Sequence, residues 1–203
     1  YRQGDVIVVE FAAGRGALAL YLGLPGDAPR LEALLKKPAP EIRTRDVEAA
    51  LSQYELGLKI LPSARDMEDL GLRQAVTQFE TIVGHIQRIA PHAVLDLGAG
   101  IDAVKRKVLQ QVDRMIVVVE STPHVVVHTR QLLADLSSMG IPANRVMPVM
   151  MNSQRLELSL SAQKVQDGIG RKMVGVIAPA PEIAFQSIMR QKPLMLQEND
   201  SIT

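Results

Sequence analysis

Short apolar runs rich in β-branched residues recur along the chain, at Val6–Val9, Leu58–Leu61, Ala93–Leu97, Met115–Val119, Val146–Met151 and Met173–Ile177. Each has the length of a strand and lacks the 3.6-residue period of a helix. Their unbroken apolarity predicts strands buried on both faces, as in a parallel sheet.

Helical patterns lie between these runs. Across Leu72–Ile89, the residues Leu72, Val76, Phe79, Ile82, Val83, Ile86 and Ile89 fall on one helical face. Val125–Met139 is bracketed by Pro123, a start signal, and Gly140, a stop signal. Ser161–Gly168 and Glu182–Met189 are shorter helices. Gly23–Arg45, with Pro25, Pro29, Pro38 and Pro40, reads as a surface excursion carrying one helix, Arg30–Lys37. Strand and helix in repeated alternation predict a three-layer α/β/α domain with a mostly parallel sheet. The polar end, Gln197–Thr203, is expected to fray.

Composition narrows the class. The 203 residues fit one domain, residues 1–203. Aromatics make up 3% and Trp is absent, so Val, Ile, Leu, Ala and Met must build the core. A net charge of +1 gives no basic excess, so nucleic acid is not an expected partner. The absence of cysteine excludes disulfides and thiolate metal sites. No apolar run approaches the roughly 20 residues needed to span a bilayer, and no signal-peptide pattern opens the chain. The expected location is cytoplasmic.

The strand ends carry a more specific signal. Val6-Ile-Val-Val-Glu-Phe-Ala-Ala-Gly-Arg-Gly-Ala-Leu-Ala-Leu-Tyr-Leu-Gly-Leu24 resembles the second strand and following segment of the MinD/ParA ATPases. The match from Gly16 to Leu24 is closest to their pilus-assembly subgroup, CpaE and TadZ. Gly57–Ala64 resembles the next strand, and Ala93-Val-Leu-Asp-Leu-Gly-Ala-Gly-Ile101 the Walker B strand, ending in Asp96. Val149-Met-Met-Asn152 resembles the strand that ends in an adenine-reading Asn. Lys172-Met-Val-Gly-Val-Ile-Ala-Pro179 resembles the last strand and its Pro-containing loop. The resemblance runs in order from Val6 to about Leu196 and implies a P-loop NTPase fold with ATP or ADP and Mg²⁺ as ligands.

ATP hydrolysis on that fold needs a glycine-rich loop whose backbone N–H groups cradle phosphates, with a Lys and a Ser or Thr beside them. No Gly-Lys-Ser or Gly-Lys-Thr occurs in this sequence. Gly14-Arg15-Gly16 follows a strand but has too few glycines for a cradle, and reads as a turn whose Gly serves its backbone angles. The resemblance therefore places the family's first strand and phosphate loop before Tyr1, and its C-terminal helix outside the sequence as well. In the family, two acids spaced by one residue end the second strand. Here those positions hold Glu10 and Ala12, and Ala neither orients water nor acts as a base. Glu10 has two readings, a residue beside the nucleotide or an exposed strand end.

The other site residues implied by the resemblance are Asp96, which would bind Mg²⁺ through water, Gly98 and Gly100, which would let backbone approach a γ-phosphate, Asn152 and Pro179. Each has a plainer reading. Gly98 and Gly100 suit a strand-to-helix turn with Asp102 as helix N-cap; Asn152 and Pro179 suit turns. His124 and His128 have the i, i+4 spacing of a helical metal pair but no third ligand. His85 and His92 read as partly exposed structural residues, and Lys105-Arg106-Lys107 as a solvated helix face. The expected function is that of a degenerate ATP-binding scaffold. It would act as a homodimer with protein partners in localising a pilus or secretion apparatus. The other expectation is a slow ATPase whose phosphate loop precedes Tyr1.

Overall fold

The computed structural model describes residues 6–11, 16–63, 75–152 and 159–196. The strands are β1 (Val6–Glu10), β2 (Ser52–Gln53), β3 (Lys59–Leu61), β4 (His92–Asp96), β5 (Met115–Glu120), β6 (Val146–Met151) and β7 (Gly175–Ile177). The α-helices among the described residues are α1 (Leu18–Tyr21), α2 (Leu31–Leu35), α3 (Thr44–Ala49), α4 (Val76–Ile89), α5 (Ala103–Gln111), α6 (Pro123–Ser138), α7 (Ala162–Ile169) and α8 (Pro181–Arg190). All six apolar runs form strands. The expected helix over Leu72–Ile89 is observed from Val76; Leu72 lies outside the described residues, as do Ala12, Gly14, Arg15 and Gln197–Thr203. The two-residue β2 and the short, polar α3 carry no apolar period and were not foreseen.

The chain divides into two compact units, Val112–Phe185 and the remainder. In the first unit the sheet order is β2-β3-β1-β4. β1 runs parallel to both β3 and β4, and only β2 is antiparallel. Ile7, Val9, Ile60 and Leu61 are fully buried in this sheet. Helix α4 buries Phe79, Ile82, Val83 and Ile86, the stripe read from its sequence. Phe79 meets Phe11 edge to face, with ring centroids 5.0 Å apart, the geometry aromatic quadrupoles favour.

The second unit holds β5-β6-β7, all parallel. Met115 and Val119 of β5 and Val146, Pro148 and Met150 of β6 share its buried face. Val126, Leu133 and Leu136 of α6 and Val165 and Ile169 of α7 complete the core of this unit. Helix α6 stops where its sequence said it should. Gly140 takes φ +78°, and the Ile141 N–H reaches back to the Leu136 carbonyl at 3.1 Å, a closure that left-handed glycine permits.

Burial on both faces holds for the inner strands β1 and β3 but not for β4, β5 and β7. Val94 of β4, Ile116 and Val118 of β5 and Val176 and Ile177 of β7 are all more than half exposed. The reason is position. Among the described residues β4 is bonded only to β1, β5 only to β6 and β7 only to β6, so each is an edge strand whose sequence has the composition of a central one.

Phe79→Ala empties a fully buried site and is expected to cost about 3–5 kcal/mol in urea unfolding. Phe185→Ala removes a side chain that is 63% exposed and is expected to change stability by less than about 0.5 kcal/mol. Equal losses would contradict this assignment of the core.

Candidate functional site

Parallel α/β sheets gather ligands at the carboxyl ends of their strands. In the first unit three such ends lie side by side. The register pairs Glu10 of β1 with Asp96 of β4, and the Phe11 N–H donates to the Asp96 carbonyl at 2.7 Å. On the other side of β1, β3 ends at Leu61, two residues before Ser63.

Glu10 is buried, with 5% of its surface exposed. Its Oε1 accepts the N–H groups of Ala17 at 2.8 Å and Leu18 at 3.0 Å, and its Oε2 accepts the N–H of Ser63 at 3.1 Å. The reading of Glu10 as an exposed strand end is thereby corrected: backbone donors from two other segments draw the carboxylate inward and compensate its burial. Gly16 sits against the same carboxylate. A Cβ there would lie 2.3 Å from Oε2 and 2.4 Å from the Ser63 Cβ. This glycine therefore serves close approach; Gly14 and Arg15 of the expected turn lie outside the described residues.

Asp96 has the opposite environment. It is exposed, and its Oδ1 accepts the Gly98 N–H at 2.9 Å. Gly98 and Gly100 take φ +62° and +73°, which turns the chain from β4 toward α5. Asp102 caps that helix as expected, its Oδ1 accepting the Lys105 N–H at 2.8 Å. Lys105 folds back onto the Ala99 carbonyl at 2.6 Å, leaving Arg106 and Lys107 as the solvated part of the basic run.

In the second unit Asn152 follows the end of β6. Its backbone N–H donates to the Ile177 carbonyl of β7 at 3.1 Å, which brings it beside the strand that leads to Pro179. Its side chain is buried, and Oδ1 has no hydrogen-bond partner among the described residues. A buried orphan acceptor at a strand's carboxyl end fits a ligand that brings its own donor. The structure therefore brings together Glu10 and Asp96 with the Gly98–Gly100 turn in one unit, and Asn152 with the approach to Pro179 in the other.

Sequence reasoning missed Ser63, Arg30 and Thr122. The Arg30 guanidinium reaches the Ser63 carbonyl at 3.4 Å while its buried Nε has no partner among the described residues. No motif marks any of the three; buried polar atoms emerge only from the packing. The histidines are structural or exposed. His85 bridges the Thr44 hydroxyl at 2.9 Å and the Ile42 carbonyl at 3.0 Å, whereas His124 and His128 lie exposed on α6. Among the described residues no group of three or more His, Asp or Glu side chains is placed to hold a metal ion, so Asp96 would need water and ligand oxygens to complete a Mg²⁺ shell, as Mg²⁺ sites commonly do. No described helix is long and apolar enough to cross a membrane.

No protein-family model matches the sequence, and no curated protein sequence matches it. Solved structures do. A ParA family ATPase from Chlorobium tepidum superposes with a TM-score of 0.82 at 16% identity, covering 97% of this chain and 80% of that one. The septum site-determining protein MinD from Pyrococcus horikoshii, complexed with Mg-ADP, gives 0.77 at 16% identity, covering 97% and 77%. The MinC:MinD cell division complex of Aquifex aeolicus gives 0.74 at 18% identity, covering 96% and 77%. The fold is therefore the three-layer α/β P-loop NTPase fold of the MinD and ParA ATPases, as the order of strand-end motifs led us to expect.

Proposed function

We propose that this chain is an adenine-nucleotide-binding domain of the MinD/ParA kind that works as a spatial organiser or scaffold and not as a fast ATPase. It would act as a homodimer that binds protein partners, with ATP or ADP as a structural ligand. The observation that carries this reading is the state of Glu10. Three backbone N–H groups occupy its carboxylate, out of roughly four acceptor positions that a carboxylate offers. The acid closest in register to Asp96 is thus committed to holding the chain together, and Ala12 supplies no acceptor to replace it.

The remaining residues suit binding. Asp96 is exposed with Oδ2 directed to no described hydrogen-bond partner, as a water-mediated Mg²⁺ contact requires. Mg²⁺, when bound, would neutralise phosphate charge. Gly98 and Gly100 would let backbone N–H groups approach the terminal phosphate, Asn152 would read the adenine edge, and Pro179 would shape the loop beside the base. MinD in the related structures occurs with Mg-ADP and in complex with MinC, which supports nucleotide and partner binding here. The likeness of Gly16–Leu24 to CpaE and TadZ supports localisation of a pilus or secretion apparatus as the process served.

A second reading, a slow ATPase whose first strand and phosphate loop come from residues before Tyr1, is favoured by the strand edges. β4 and β5 are apolar, each is bonded on one side only among the described residues, and each leaves valine or isoleucine exposed. Parallel strands of that composition ordinarily have neighbours on both sides. Phosphate release from the chain extended upstream separates the two readings. Turnover near the ~1 s⁻¹ lower end of typical enzymes would contradict the scaffold, and binding without measurable release would support it.

Two further outcomes are expected. Asn152→Ala weakens ATP binding about tenfold, the cost of one base contact, in a titration followed by calorimetry. Glu10→Ala lowers the unfolding free energy by about 3 kcal/mol because buried N–H groups lose their acceptor. An unchanged stability combined with lost Mg²⁺-dependent binding would instead make Glu10 a ligand.

A further inference from the structure

Among the described residues, two buried side-chain oxygens in the second unit have no hydrogen bond, Oδ1 of Asn152 and Oγ1 of Thr122. They belong to the adjoining carboxyl ends of two paired strands. The register that sets Glu120 beside Met151 brings the next residues, Ser121 and Asn152, level with each other. Thr122 follows at once. Asn152 is 5% exposed and Ser121 4%, so both sit at the lip of the core.

Thr122 stands at the N-cap of α6, with the extended backbone of a capping residue (φ −114°, ψ 145°), yet its hydroxyl makes no cap hydrogen bond. A Thr in this position ordinarily accepts an N–H from the second or third residue of the helix. Pro123 at the first helical position has no N–H to offer. The nearby Ser121 carbonyl accepts the Leu160 N–H at 2.8 Å. An unmet buried polar atom costs about 1–3 kcal/mol. Two of them at adjoining strand ends indicate a donor group that the described protein does not supply.

The chemistry of that donor is narrow. An amide oxygen only accepts, so Asn152 Oδ1 requires an N–H or O–H, and the Thr122 hydroxyl, which can both donate and accept, has lone pairs open to a second such donor. A primary amine on a flat ring presents two N–H groups in one plane, one for each oxygen. We infer that Thr122 is a second base-recognition residue: its Oγ1 accepts one N–H of the adenine exocyclic amine while Asn152 Oδ1 accepts the other. The inference rests on the adenine-nucleotide reading above and extends it to specificity. Guanine carries a carbonyl oxygen at the equivalent ring position. That oxygen would face Asn152 Oδ1 acceptor to acceptor and leave it unmet, which is the strongest form of discrimination a polar site offers.

The test uses nucleosides, which probe the base without phosphates. Adenosine, guanosine and purine riboside, which lacks the amine, are titrated into the protein while the amides of Ser121, Thr122 and Asn152 are followed by NMR. Adenosine is expected to bind about tenfold or more tightly than either of the others. Thr122→Val is expected to reduce adenosine affinity about five- to tenfold, the worth of one hydrogen bond, and to leave purine riboside unchanged. Thr122→Ser is expected to retain wild-type binding. The Val variant removes an unmet buried hydroxyl at constant shape, so its melting temperature should not fall; should it fail to fold, Thr122→Ala takes its place. If the wild type binds adenosine and neither the Val nor the Ala variant differs from it, the two oxygens are served by a bridging water only and the role of Thr122 is overturned. If the wild type shifts with no nucleoside at these amides, the adenine reading fails and the inference with it.

Discussion

The ends of β1 and β3 and the start of α1 meet at one carboxylate. Glu10 is the last residue of β1, yet its side chain accepts backbone hydrogens from Ala17 and Leu18 at the entry to α1 and from Ser63 beyond β3. A charge buried to this degree is tolerated only when its lone pairs are met by oriented donors. Three N–H groups do so here, and Gly16 leaves the room they need. The rest of the first unit's carboxyl-end surface follows. Once Glu10 is turned inward, its register partner Asp96 is the carboxylate left facing solvent, braced by the Gly98 N–H and followed by a two-glycine turn.

This division separates two tasks that a hydrolytic site would combine. One acid organises backbone and the other stays available to a cation or to water. In the second unit the carboxyl ends of β5 and β6 present buried oxygens that have no donor among the described residues, on Thr122 and Asn152. On the proposed reading, an exposed carboxylate in one unit and orphan acceptors in the other would serve nucleotide binding, and the commitment of Glu10 to backbone donors would leave no fast hydrolysis.

Much of this was legible in the sequence. The apolar runs located every strand but β2, whose Ser52 and Gln53 have no apolar signature. The stripe from Val76 to Ile86 located the face α4 buries, and Gly140 marked the end of α6. Asp96 and Asn152 were singled out because strand ends recur in a known order, a pattern that local composition does not contain, and both do lie at the carboxyl ends of strands. What remained hidden has a common cause. The commitment of Glu10 depends on donors 7, 8 and 53 residues away, and no local window contains the last of these. Thr122 before a proline at a helix start reads as an ordinary N-cap, and only the absence of its cap bond distinguishes it. The exposure of Val94, Ile116 and Val118 was equally invisible, because composition reports that a strand suits the centre of a sheet and not whether both neighbours are beside it.

Glu10 is a structural clamp whose carboxylate is occupied by three backbone donors. Amide hydrogen exchange by NMR addresses it directly, at the three donors themselves. The account predicts slow exchange at Ala17, Leu18 and Ser63 in the wild type, with all three accelerated together in Glu10→Gln while the core amides of α4 stay protected. Fast exchange at these amides in the wild type, or exchange that Glu10→Gln leaves unchanged, would mean that the carboxylate is free, and the case for a binding domain without fast hydrolysis would lose its foundation.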